Sequence, residues 1–571
     1  SLVVQLLKEL RKKEQDELLR GWLEQYWLDF GTDLDSIIAQ EHFEQASRKV
    51  AVGHAIMSLK TISRLDWEEV FENLSRVELI LARDPDGTYP NMDKESRDYY
   101  RRQVGLLARR YRVPEPRVAR IAVGLAKQVD DRELPSSHVG YYLIGKGREK
   151  LIRQLNGSAP VTRLHNYPPA RYYSAIAGVM AVVIVPLAWY GYRFSQGSLV
   201  VAVSIVLLSL LPVSEIAVFL VNRLAARLVA AAFLPKLSFG EGIPDRHATM
   251  VVIPALLPNA GKVEELLERL ETYYLANKSE NLYFALAGDY KDGDDKTAPE
   301  DQAIIQAGLQ GVQRLNEEYG EGEELFFYCQ RERVLCPTQN RWTGWERKRG
   351  ALVEFNRLLL GEEDTTYNIQ SPGLTGLANK IKYVITLDAD TRLTLDTAKK
   401  LIGTMAHPLH RPVIDQDKGI VKEGYGLIQP RIGIGVESAN QSEFTRLFAG
   451  AGGIDPYVTA VSDVYQDLFG EGIFTGKGIY DLQVFHRLLT NAIPEGSILS
   501  HDLLEGSYLR TGMATDVELI DGYPGTYSSY AARQHRWVRG DWQLLPWLFP
   551  RIKNRQGRWV KNPLSGLSKW K

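Results

Sequence analysis

Two carboxylates separated by one small residue, Asp388-Ala389-Asp390, directly follow the mostly apolar, β-favouring run Tyr383-Val-Ile-Thr-Leu387. That pattern predicts a buried strand that delivers both acids to the carboxyl edge of an α/β sheet, where such sheets place ligands. Paired ionised carboxylates suit a hard divalent cation that also holds a phosphate-bearing substrate. Other Asp-x-Asp triplets begin at Asp33, Asp84, Asp292 and Asp415, but none of these ends a continuous hydrophobic strand. Position therefore singles out Asp388 and Asp390; the competing reading is that they cap the helix that follows.

Four further features have residue types that could work on the same substrate. Asp289 also follows an apolar run and could accept from a ribose or a base, or simply serve a turn in Asp-Tyr-Lys-Asp-Gly293. Glu346-Arg-Lys-Arg-Gly350 precedes a helical pattern, so backbone N–H groups with Lys348 and Arg349 could meet phosphates. A solvated charged face is the alternative there. Asp502, in Ser500-His-Asp-Leu-Leu-Glu505, stands at a helix start, where it could act as general base toward an acceptor or as an N-cap. In Ala532-Arg-Gln-His-Arg-Trp-Val-Arg-Gly-Asp-Trp542, Arg533 and Arg536 could clamp a diphosphate while Trp537 and Trp542 offer a flat floor to a sugar ring. Core tryptophans beside a basic surface would give the same string.

Positioning these groups falls to an alternation of strands and helices from about residue 247 onward. Strands are predicted at Thr249–Leu257, Leu282–Ala287, Leu325–Cys329 and Tyr383–Leu387. Helices carrying Val263, Leu266, Leu267 and Leu270, then Asp301–Leu315 and Arg349–Leu360, lie between them. The order implies an α/β, mostly parallel sheet covered on both faces, with right-handed crossovers bringing Asp289 and Asp388 to one edge. Residues 1–165 read as all-helical, with a capping box at Asp66/Glu69 and a helix from Asp93 to Tyr111 that stops before Pro114 and Pro116.

Between leader and sheet lie two apolar runs, Tyr172–Tyr192 and Leu199–Val221, each long enough to cross a bilayer as a helix. The six-residue connector, Arg193–Ser198, makes them a hairpin, and basic residues flank both ends, which directs those ends to the cytoplasm. The chain has 571 residues, 69 basic and 70 acidic, a balance that gives no reason to expect nucleic acid as partner. Two cysteines, Cys329 and Cys336, fit neither a zinc ribbon nor a disulfide framework. The expected division is a helical domain (1–165), a transmembrane hairpin (166–235), a transferase domain (236–550) and the start of a truncated C-terminal segment (551–571).

Taken in order, Asp289, Asp388-Ala-Asp390, Asp502 and Arg533-Gln-His-Arg-Trp537 resemble the signature of inverting, membrane-embedded glycosyltransferases of the cellulose-synthase type. Arg533 stands where that group usually has Gln, and Ser500-His501 replaces Thr-Glu. The chain is more similar to the family of bacterial cyclic β-1,2-glucan synthases, in their glycosyltransferase family 84 portion. Matching stretches include His138-Val-Gly-Tyr-Tyr142, Gly344-Trp-Glu-Arg-Lys-Arg-Gly350, Asp455 through Glu471, Phe474-Thr-Gly-Lys-Gly-Ile-Tyr-Asp481 and His501-Asp-Leu-Leu-Glu-Gly506.

The resemblance implies a GT-A-like, nucleotide-sugar-binding fold at the bacterial inner membrane, its catalytic domain cytoplasmic. UDP-glucose would be the donor and a growing β-1,2-glucan the product. Mg²⁺ or Mn²⁺ would be held by Asp388 and Asp390. Asp289, Lys348, Arg349, Arg533, Arg536 and Trp537 would bind the donor, with Asp502 as base and Trp542 against the acceptor. Glucan attachment through a tyrosine, Tyr457 ahead of Tyr465 and Tyr480, is a further implication. The family's downstream trimming and cyclising domains are missing from this sequence. The rival expectations are another β-glycan synthase of cellulose-synthase type and an inactive membrane scaffold.

Overall fold

The computed structural model describes residues 5, 17–31, 33–67, 70, 74–132, 134–156, 168–337, 340–449, 463–498 and 501–570. Ser1–Leu79 and Ile80–Lys571 form two compact units. In the first, α1 (Glu17–Leu28) is followed by α2 (Leu34–Arg64), whose N-terminus is capped by Asp33 accepting from the Ser36 N–H. The expected capping box at Asp66/Glu69 falls partly outside the described residues.

The second unit begins with a helical portion. Asp93 caps α3 (Lys94–Tyr111), and Pro114 and Pro116 then open α4 (Glu115–Lys127). The prolines that end one helix thus start the next, as a fixed φ and a missing N–H allow at a first turn. A buried polar chain ties this portion to the sheet domain. Asp84 accepts from His138 Nδ1 (2.5 Å) and from the Tyr89 and Val139 N–H groups. His138 Nε2 meets the Tyr100 hydroxyl at 2.9 Å, which lies 3.4 Å from His407 Nε2. Both Asp86 oxygens accept from Thr88, one from its N–H and one from its hydroxyl.

Burial alone would depress the His138 pKa, but Asp84 and Asp86 outweigh it and raise it to about 9. The folded value lies above the ordinary 6.5. Its contribution to stability is therefore complete below that value and is lost as pH rises through about 9. The thermal midpoint should fall more steeply between about pH 7 and 10 in wild type than in His138→Asn. Equal slopes would show that the imidazolium contributes nothing.

Two helices, α5 (Pro169–Phe194) and α6 (Leu199–Leu228), pack as a hairpin and are long and apolar enough to cross a membrane. Their shared end is covered: Tyr172, Ile176 and Ala217 cluster with Val464, Tyr465, Leu468 and Phe469 of α11 (Val464–Phe469). The Ala232 N–H, just past the hairpin, donates to Asp467 at 2.6 Å.

The sheet has nine strands: β1 (Thr249–Leu257), β2 (Leu282–Tyr290), β3 (Phe326–Arg331), β4 (Tyr367–Gln370), β5 (Tyr383–Thr386), β6 (Thr391–Leu393), β7 (Leu427–Ile434), β8 (Gly478–Asp481) and β9 (Thr511–Asp521). They lie in the order β4-β3-β2-β1-β5-β8-β7-β9-β6. β3, β2, β1 and β5 run parallel, as do β7 and β9, while β4, β6 and β8 run against their neighbours. Six strands therefore share one direction and the sheet is mixed but mostly parallel. The antiparallel β8, reached through a glycine-rich loop, has no counterpart among the four predicted strands.

Helices α7 (Ala260–Asn277), α8 (Asp301–Tyr319), α9 (Arg347–Leu359) and α10 (Thr397–Ala406) cover the sheet. Two cores result. One holds Val251, Ile253, Leu267, Leu286 and Ile385, and the other Val252, Ala285, Phe355, Val384 and Tyr480. The split follows from the two-residue period of a strand, which sends successive apolar side chains to opposite faces.

Candidate active site

Register explains why the acids share an edge. Ala285 and Thr386 both pair with Val252, so β2 and β5 are level across β1. Asp289 lies four residues farther along β2, and Asp388 lies two past the end of β5, at the same edge.

At that edge Asp388 is the hub. Lys348 Nζ, on the first turn of α9, donates to its Oδ1 at 2.5 Å and to the Gly476 carbonyl at 2.9 Å. Lys477 Nζ lies 3.3 Å from Asp388 Oδ2 and is bound directly to Asp521, at the end of β9. Asp521 in turn accepts from the Thr391 hydroxyl at 2.6 Å. Burial works against ionisation of Asp388, but the two ammonium groups prevail and hold its carboxyl well below the usual range.

Asp390 differs. Burial, then the charges of Asp521 and Asp388, push its carboxyl up, with Lys477 and Arg533 opposing. Among the described residues no hydrogen bond or ion pair engages the Asp390 carboxylate. The uncommitted Asp390 carboxylate offers oxygen atoms of the kind a hard divalent cation takes, while Asp388 and Asp521 are held by Lys348 and Lys477.

Asp502 opens α12 (Asp502–Leu509) on the other side of the Gly476 loop. Gly476 has φ +89°, and a Cβ there would stand 2.9 Å from the Asp502 carboxylate, so both the backbone angle and the contact require glycine. Asp502 Oδ1 is buried and has no hydrogen-bond partner among the described residues. Behind it, His501 Nδ1 lies 2.9 Å from Glu505 Oε1 and 3.5 Å from Asp502 Oδ1. Burial would lower the His501 pKa, but Glu505 and then Asp502 raise it. Lys348 feels the charges of both Asp388 and Asp502, which places acid, lysine and candidate base in one cluster.

The remaining expected residues divide. Asp289 is at the edge, but Arg331 grips it with a two-pronged ion pair, 2.6 Å on each prong. Arg331 also donates to the Trp345 and Arg347 carbonyls and to Glu354, so Asp289 helps to fix the turn that presents Lys348. Arg349 is buried against Glu346 (2.6 Å), three residues earlier, and Arg347 pairs with Asp292. Of that basic run the structure brings only Lys348 to Asp388, because successive helical residues are about 100° apart.

Arg533 lies on α13 (Tyr527–Gln543), near enough to Asp390 for its charge to be felt, with its guanidinium 4.7 Å from the Trp537 ring. Arg536 and Trp537 are exposed on the same helix. Trp542 is mostly exposed and lines a cavity of about 530 Å³ with Phe474, Leu504, Trp547 and Trp570. Tyr465 is buried in the helix beneath the hairpin, and Tyr480 is buried in β8 with its hydroxyl donating to Asn356 at 2.8 Å. Tyr457 lies outside the described residues.

No family model matches the chain. Against curated proteins it is 36% identical over 587 aligned residues, covering 100% of the chain, to the cyclic beta-(1,2)-glucan synthase NdvB of Rhizobium meliloti (strain 1021). Along its entire length, the chain is similar to part of a cyclic glucan synthase. It spans 20% of that synthase.

Sequence reasoning assigned no role to Arg331, Lys477 or Asp521. Each has a partner some forty residues distant, Asp289 for Arg331 and Asp521 for Lys477. The available signals were a charged residue two positions past the predicted strand Leu325–Cys329 and a lysine set between two glycines.

Proposed function

We propose that this chain is the sugar-transferring part of a β-1,2-glucan synthase, an inverting transferase that uses UDP-glucose at the bacterial inner membrane. The observation that carries the reading is the gathering of Asp388, Asp390 and Asp502 with Lys348 and Lys477 at one sheet edge, in a chain related throughout to a glucan synthase. Asp390, with Asp388 beside it, would hold Mg²⁺ or Mn²⁺, which supplies positive charge to the leaving diphosphate.

Lys348 and Arg533 add cationic charge where negative charge develops on UDP. The acceptor's 2-hydroxyl oxygen attacks the anomeric carbon from the side opposite UDP. The bond from that carbon to the phosphate oxygen breaks, UDP leaves with its electron pair, and Asp502 takes the hydroxyl proton. The α-linked glucosyl group becomes β-linked. Asp289 acts indirectly, by holding Arg331 and the turn before Lys348. Trp542 and the apolar cavity beside it receive the glucan. The hairpin anchors the chain with its catalytic face in the cytoplasm, and attachment of the glucan to Tyr457 belongs to the same reading.

The test is radiolabel from UDP-glucose with Mn²⁺, followed by linkage analysis of the product. β-1,2-linked glucose is expected. A β-1,4 product would move the chain to the cellulose-type synthases. No transfer, together with no metal-dependent UDP binding by calorimetry, would identify a scaffold and end the proposal.

A further inference from the structure

Lys477 is a buried lysine held between two carboxylates, in a place where the reaction proposed above would need one of them. Its contact with Asp521 is direct, whereas its nearest approach to Asp388 is 3.3 Å, looser than the 2.5 Å bond from Lys348. The backbone on either side is fixed. Gly476 and Gly478 have φ of +89° and +151°, and a Cβ at Gly478 would stand 2.3 Å from the Ile428 carbonyl oxygen. What can move is the four-carbon side chain of Lys477, whose ammonium lies between Asp388 and Asp521.

We propose that Lys477 is a second donor-binding lysine that serves as the resident counter-charge of this edge. Before the donor enters it helps Lys348 to neutralise Asp388. When the nucleoside diphosphate arrives, Lys477 cedes Asp388 to the accompanying divalent cation and turns its ammonium to the diphosphate, still tethered to Asp521. The proposal rests on the transferase reading. It follows that two lysines on one carboxylate discourage cation binding without nucleotide, since like charges a few ångströms apart repel strongly in a partly buried site.

Calorimetry on the detergent-extracted full chain, with Mn²⁺ alone and with UDP at saturating Mn²⁺, tests this. Lys477→Met should bind Mn²⁺ alone about tenfold more tightly and UDP about tenfold more weakly. A passive salt bridge would move both affinities the same way or neither, and either result overturns the proposal. Lys477→Gln, which keeps a hydrogen-bond donor for Asp521 without the charge, should show the same opposed shifts and decides the matter if the Met variant does not fold. Wild-type protein that binds no UDP would overturn the transferase reading itself. Wild-type binding with unaltered variants would overturn only the role of Lys477.

Discussion

Asp502→Asn is expected to slow sugar transfer from UDP-glucose by about 10²–10⁴-fold, the range that a positioned general base contributes. The substitution changes one atom and leaves the start of α12 and the contact with Gly476 intact. What it removes is a proton acceptor. The Oδ1 atom of Asp502 is buried with no hydrogen-bond partner among the described residues, which leaves it able to accept from a substrate hydroxyl. UDP affinity should change little, because Lys348 keeps its 2.5 Å bond to Asp388. Initial rates of label incorporation beside UDP titrations would show the split. A variant that transfers at the wild-type rate would remove Asp502 as the base.

The largest loss of stability is expected at Arg331. Arg331→Met should destabilise the fold by about 3–5 kcal/mol, the cost of removing one partner from a buried ion pair. The side chain is fully buried, and it serves Asp289, Glu354 and two backbone carbonyls. Methionine fills much of the space but leaves Asp289 charged without its partner and two carbonyls without a donor. Denaturant titration of the detergent-solubilised protein should show the shift, and a change under about 1 kcal/mol would mean that water takes over the guanidinium's bonds. Because Arg331 fixes the 345–347 turn, a surviving fraction should also bind UDP weakly.

The parts of this architecture that were legible share a physical trait. β1 matches the predicted Thr249–Leu257, and β2 and β5 were found because strands buried on both faces read as unbroken apolar runs. Asp388 and Asp390 stood out because such a run aims them at an edge. β8 did not, since its four residues follow a loop rich in glycine and carry little periodic pattern. Arg349 was assigned to phosphate by its neighbourhood in sequence, yet one step along a helix turns a side chain away from the site, and its partner is Glu346. Lys477 and Asp521 belong to the site through tertiary pairing alone, which no local spacing encodes.

The way α11 sits under the hairpin bears on how a water-soluble version could be engineered. Excising residues 169–228 would uncover Val464, Tyr465, Leu468 and Phe469, four side chains now sheathed by Tyr172, Ile176 and Ala217. The same helix ends at Gly470, where the strand-bound loop with Gly476 and Lys477 begins. A deletion drawn at the ends of the two apolar helices would thus loosen the loop with Gly476 and Lys477 from behind, so polar replacements on α11 must accompany the cut.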